Sequence, residues 1–153
     1  MKEDKDKQVK HVERALECYR EGSGFTCAHS VLSAFAPDFG MGDDLARVAA
    51  IFGGGVARTG GMCGGITGAL MVLGLKYGMV VPEDQETKEK GYGIAKDFIN
   101  RFAERQGEVT CKALLGHDPS TPEGQQAISE ANLKATVCTK VIKDAVEILE
   151  EFL

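Results

Sequence analysis

The chain has no tryptophan, and aromatic residues make up only 7% of its 153 residues. Surfaces that stack nucleobases need rows of aromatic faces, so none is expected here. A basic block is missing too. The net charge is −5, and most lysines and arginines are interleaved with acids, as on solvated helix faces. Nucleic-acid binding rewards concentrated positive charge and is therefore not expected. Long apolar runs are also absent. The longest ends at Lys76 and is too short to span a bilayer. The charged opening Met1-Lys2-Glu3-Asp4-Lys5-Asp6-Lys7 leads into no apolar signal segment. The expectation is a soluble, cytoplasmic protein with no membrane partner.

Several motifs are missing as well. Without Cys-x-x-Cys, the chain carries neither a thioredoxin-type motif nor a zinc ribbon, and without Cys-x-x-Cys-His it attaches no haem covalently. The glycine-rich stretch lacks Gly-x4-Gly-Lys-Ser/Thr and follows no strand pattern, which excludes a P-loop and a Rossmann turn.

What is present is helical periodicity from end to end. A first helix over about Lys5–Arg20 places Val9, Val12, Leu16 and Tyr19 on one face. A second, about Thr26–Ala36, has Phe25, Ala28, Leu32 and Phe35 inward, with Ser23 or Thr26 as its cap. A third starts at Gly42-Asp43, with Leu45, Val48, Ala49 and Phe52 inward. A fourth, about Gly61–Tyr77, is apolar nearly all round and should be buried. A fifth opens with Pro82-Glu83-Asp84 and buries Tyr92, Ala95, Ile99 and Phe102. A short turn over Thr110–Gly116 and a short helix capped by Thr121 follow. A last helix over about Ala135–Phe152 turns Val141, Ile142, Ala145, Leu149 and Phe152 inward. The fold class is all-α: one domain over residues 1–153, a bundle of about five long helices and two short ones, with residues 1–7 disordered.

The chain is organised around the bend from Phe52 to Leu70, which carries eight glycines between Gly53 and Gly68. Gly61, Gly65 and Gly68 would form a bare stripe for close helix approach, and in an ordinary helical core that would be their whole purpose. The five cysteines add chemistry. An odd, scattered set in a cytoplasmic chain is no disulfide framework and points to redox or metal chemistry. Cys18 reads as a small core residue. Cys27, Cys63, Cys111 and Cys138 each fall near an expected helix start. There, free backbone N–H groups and the helix dipole would lower the thiol pKa and favour thiolate. A buried core role competes at each of the four. His29, two residues from Cys27, could tune or ligate, or stand exposed. Arg58 could hold a thiolate or small anion, or remain a solvated loop residue.

Three segments resemble a known family. They are Gly24-Phe25-Thr26-Cys27-Ala28-His29-Ser30-Val31, the block from Phe52-Gly53-Gly54-Gly55 through Cys63-Gly64-Gly65-Ile66-Thr67-Gly68-Ala69-Leu70, and Cys111-Lys112-Ala113-Leu114-Leu115-Gly116, with Cys138 beyond them. They are similar to the family described as Putative redox-active protein (C_GCAxxG_C_C). Thr26 stands where asparagine is common, and the Gly-Cys-Ala string is replaced by Met62-Cys63-Gly64. The resemblance implies a small helical domain with redox-active cysteines. Similar domains occur in split-Soret cytochromes, which implies an iron–sulfur cluster as the alternative.

Three readings follow. In the first, a thiol-based oxidoreductase, Cys63 or Cys27 attacks and another of Cys27, Cys63, Cys111 and Cys138 resolves. Gly54, Gly55, Arg58 and Gly64 line the approach of a redox protein or small thiol. In the second, the same four cysteines are metal ligands for an iron–sulfur cluster or zinc. In the third, the chain is a non-enzymatic helical interaction module. A homodimer is a candidate assembly.

Overall fold

The computed structural model describes residues 2–153, with side chains from residue 6 onward. Its helices are α1 (Lys2–Tyr19), α2 (Cys27–Phe35), α3 (Asp43–Val48), α4 (Gly64–Tyr77), α5 (Gln85–Gln106), α6 (Cys111–Leu115), α7 (Pro122–Glu130) and α8 (Thr139–Glu150). Among the described residues there is no sheet; the one antiparallel pairing is Met62 opposite Thr110. The all-α expectation holds. Within the stretch expected to be disordered, α1 runs from Lys2, and Met1 lies outside the described residues.

Caps place the helix starts where short polar side chains allow. Thr26 accepts the amide of His29 at 3.2 Å, Asp84 that of Thr87 at 3.0 Å, Thr110 that of Ala113 at 3.2 Å and Thr121 that of Gly124 at 3.0 Å. Pro82 thus lies ahead of α5, because Asp84 takes the cap.

The central helix is α4, which packs against α2, α5 and α8. The expected glycine stripe is divided between these partners. Gly64 and Gly68 face α2, where a Cβ on Gly68 would stand 2.6 Å from the Ala28 carbonyl oxygen. Gly65 faces Val141 and Ala145 of α8, and Gly61 packs against Gly55. Phe35, Phe98, Phe102, Ile66, Ile142 and Leu149 fill the core around them.

Four residues expected inward are exposed: Val9, Phe25, Val48 and Tyr92. For α5 the reason is rotational phase. Gly91 approaches the Tyr77 carbonyl, so α5 meets α4 through Gly91, Ile94 and Phe98. That turns Tyr92 to solvent, where Lys88 stands over its ring. Phe25 precedes α2 and packs at a tilt against His29, with ring centroids 4.2 Å apart. No helix among the described residues is long and apolar enough to cross a membrane.

Candidate functional site

The glycine-rich bend is built as a left-handed turn. Five consecutive residues have positive φ: Gly54 (67°), Gly55 (71°), Val56 (65°), Ala57 (50°) and Arg58 (63°). Glycine adopts this conformation freely, but each L-residue with a side chain is strained there by roughly 1–2 kcal/mol. The turn is held by Arg58 N–H donating to Gly53 O (3.0 Å), Gly60 N–H to Gly54 O (3.0 Å), Gly61 N–H to Gly55 O (2.9 Å) and the Thr59 hydroxyl to Gly55 O (2.6 Å). Relieving one strained position is a direct test. Val56 is exposed, so Val56→Gly should raise unfolding stability by about 1 kcal/mol, read from the urea midpoint.

Past the turn, the chain pairs with the segment before α6. Cys63 N–H donates to Val109 O at 2.9 Å and Cys111 N–H to Gly61 O at 2.7 Å. This short ladder joins the entries of α4 and α6, so Cys63 and Cys111 are held on neighbouring strands of backbone. Cys27 opens α2, and its sulfur lies against Gly64, where an added Cβ would stand 2.8 Å away. Cys138 ends a π-helical turn, Lys134–Cys138, that leads directly into α8. Wider turns of this kind recur at functional sites, where they re-aim a side chain.

The sequence-predicted cysteines therefore come together. The charge of an ionised Cys27 acts on Cys63, Cys111 and Cys138, and in each case it is the foremost charge to do so. Backbone N–H groups of Cys27, Gly54, Ala28 and Gly64 hydrogen-bond the Cys27 sulfur. Gly54 and Gly64 thus reach the site through their amides. Gly55 is buried beneath the turn, packed on Gly61, and shapes it without touching a sulfur. Arg58 stands exposed at the tip, and its charge is not among those acting on the thiols. His29 is half-buried beside Phe25, and burial lowers its pKa. Cys18 is half-buried outside this group of four.

One expectation is reversed. Helix starts were expected to lower the thiol pKa values, yet all four are raised. Burial is the largest cause at each site; it pushes Cys138 up to about 11 and Cys111 to about 12, and Cys63 and Cys27 upward as well. Cys138 also does not sit at a helix start. The π-helical turn before it leaves its surroundings fully helical, with φ −65° and ψ −38°. Only Cys27 gathers several amides, and even there desolvation outweighs them.

The sign of the pH dependence follows. A thiol that ionises near 8.5 when unfolded and well above that when folded binds more protons in the native state across that interval. Its contribution to stability is complete below pH ~8.5 and is lost as pH rises toward 11. Thermal melts should therefore fall steadily above pH ~9, and the fall should be shallower in Cys138→Ser.

Two features were not legible in the sequence. Tyr19, expected only as part of an apolar stripe, is half-buried, and burial raises its pKa, with the charges of Cys138 and Cys27 adding to it. His11 is buried far from that pocket, with Nε2 2.6 Å from Asp38 and Nδ1 against Glu150. Its partners lie 27 and 139 residues away in the chain, beyond any local pattern. Among the described residues, no three of His, Cys, Asp or Glu stand in an arrangement ready to hold a metal ion.

The fold is a set of packed helices in which the charges of Cys27, Cys111 and Cys138 act on Cys63. The chain belongs to the family described as Putative redox-active protein (C_GCAxxG_C_C), whose model matches residues 25–152. No curated protein and no solved structure matches it.

Proposed function

We propose that the pocket performs thiol–disulfide exchange with Cys27 as the attacking sulfur. The observation that carries this is the placement of Cys27. Cys27 opens α2, and its sulfur lies against Gly64 at the start of α4, so the amides of two helix starts face it. A single negative charge in the pocket is therefore best held on Cys27, while its neighbours stay protonated and ready to follow. A thiolate is the species that attacks a disulfide.

The partner is a disulfide R–S–S–R′. The Cys27 thiolate forms a bond to one sulfur, and R′S⁻ leaves. A second pocket thiol gives up its proton to a leaving thiolate and attacks Cys27 Sγ; the mixed disulfide breaks and RS⁻ leaves. Two protein thiols are oxidised and one partner disulfide is reduced, a transfer of two electrons.

The test is to mix reduced protein with a small aromatic disulfide in substoichiometric amount. Both halves of the reagent should be released as coloured thiolate, and peptide mapping should find an internal disulfide that contains Cys27. Cys27→Ser should slow release at least a hundredfold. Stable mixed adducts without an internal disulfide would overturn the reading. So would protein purified without oxygen that shows a visible band with bound iron and does not exchange.

A further inference from the structure

The glycine-rich bend enters and leaves on two adjacent residues at the start of α2. At the entry, Gly53 lies on the Thr26 side chain. A Cβ added to Gly53 would stand 2.6 Å from the Thr26 methyl carbon and 2.9 Å from Thr26 Cβ. At the exit, Gly64 lies on Cys27, where an added Cβ would stand 2.8 Å from the sulfur and 2.9 Å from the Ala28 nitrogen. Thr26 holds the chain as it goes into the bend, and Cys27 meets it as it comes out.

Thr26 also sets the first turn of α2. Its backbone is extended, with φ −83° and ψ 164°, as in a residue just outside a helix. Its hydroxyl oxygen accepts the His29 amide at 3.2 Å, and its carbonyl oxygen accepts the Ser30 amide at 2.9 Å. The hydroxyl donates in turn to Ala49 O at 3.4 Å, a long contact to the fully buried residue that ends α3. A helix start leaves four amides without helical partners. In α2 these belong to residues 27–30, and Thr26 takes the last two. The other two, on Cys27 and Ala28, are left beside the Cys27 sulfur. The Ala28 nitrogen and that sulfur both face Gly64.

We propose that Thr26 is a positioning residue for Cys27: its hydroxyl fixes the first turn of α2 so that the free amides of Cys27 and Ala28 stay directed at the Cys27 sulfur. This rests on the exchange reaction proposed above and says what prepares its first step. In that step the Cys27 thiolate bonds to one sulfur of the partner disulfide, and the other sulfur leaves as thiolate. Thr26 makes and breaks no covalent bond and gives up no proton. Hydrogen bonds to an ionised acceptor are about twice as strong as neutral ones, so directed amides favour the thiolate over the thiol. Without the hydroxyl, the His29 amide loses its partner, the first turn frays and the two free amides disperse.

The rate of coloured-thiolate release from a small aromatic disulfide, followed from pH 6 to 9 with the full-length reduced protein, tests this. Thr26→Val keeps the branched shape and lacks the hydroxyl. It should slow release about threefold at pH 7, which displaces the curve of rate against pH upward by roughly half a unit. Thr26→Ser keeps the hydroxyl and should leave the curve in place. A Thr26→Val curve that overlies wild type would overturn the proposal. So would faster release at every pH, the sign of a loosened helix that exposes the sulfur, or a Thr26→Ser curve displaced as far as that of Thr26→Val. If circular dichroism shows Thr26→Val unfolded, Thr26→Ala takes the same test. Failure of the exchange reaction looks different, because wild type then releases no thiolate. Iodoacetamide reads Cys27 in that case: its carbon bonds to the thiolate sulfur and iodide leaves. Peptide mapping should then find Cys27 labelled about threefold more slowly in Thr26→Val, relative to the half-buried Cys18 of the same molecules. An unchanged ratio would reject the role of Thr26.

Discussion

Gly64→Ala is expected to destabilise the protein by about 3 kcal/mol and to abolish the ordered reactivity of Cys27. The added Cβ would stand 2.8 Å from Cys27 Sγ, 2.9 Å from the Ala28 nitrogen and 3.2 Å from Cys27 Cβ. Two of these three atoms belong to the rigid opening turn of α2, so no flexible side-chain end can move aside. The helices must separate, and the amides that hold the Cys27 sulfur separate with them. Gly68→Ala makes the informative comparison. Its Cβ would stand 2.6 Å from Ala28 O and 3.0 Å from Val31 Cβ, one turn deeper in the same α2–α4 contact. It should cost a similar about 3 kcal/mol, yet touch no sulfur directly. Gly74→Ala is the control. Nothing lies within 4 Å of that Cβ, so removing a helix-interior glycine should stabilise by roughly 0.5–1 kcal/mol. Urea unfolding of the three variants, with alkylation rates of Cys27 in each, checks the set. Equal stability of Gly64→Ala and Gly74→Ala would show that α2 and α4 are not in this close contact.

His11→Ala is also expected to cost about 3 kcal/mol. The imidazole is 5% exposed and lies nearly parallel to Phe35, with ring centroids 4.1 Å apart. It ties α1 to Asp38 on the turn after α2 and to Glu150 at the end of α8. Removing it leaves the Glu150 carboxylate, whose side chain is 16% exposed, without its partner. Stranding a buried charge is the costly part. Asp38 is 46% exposed and supported by Arg14, so water takes over much of its share. Glu150→Gln alone should therefore cost less than His11→Ala. The double variant should cost less than the sum, because the second change removes the charge that the first one stranded. Additive costs in a denaturation cycle would show that His11 and Glu150 act independently.

Much of the architecture was legible in the chain. The 3.6-residue spacing of Ala28, Leu32 and Phe35, and of Val141, Ile142, Ala145 and Leu149, returned as buried faces. Thr26 and Thr121 returned as caps, and Thr110 caps α6 as well. These signals are local, since each depends on residues within one or two turns. Reading failed where a helix borders solvent on a wide arc. Val48 and Tyr92 fit an apolar stripe by spacing, but the partner helix meets a different phase of the surface. At the site, the acidity of the four thiols ran against the expectation. Position relative to a helix start can be read from sequence. Depth of burial cannot, and desolvation is the largest influence at every thiol, outweighing the amides at Cys27 and Cys63.

By itself, then, the sequence determined the helices, their caps, the glycine bend and the identity of the four sulfurs, because periodicity and short-range capping are written within a few residues. Only the tertiary structure decided that the Cys27 sulfur lies against Gly64, that Arg58 stays exposed, and that His11 clamps two carboxylates. Those outcomes depend on distances between segments up to 139 residues apart and on how much water the packed helices exclude.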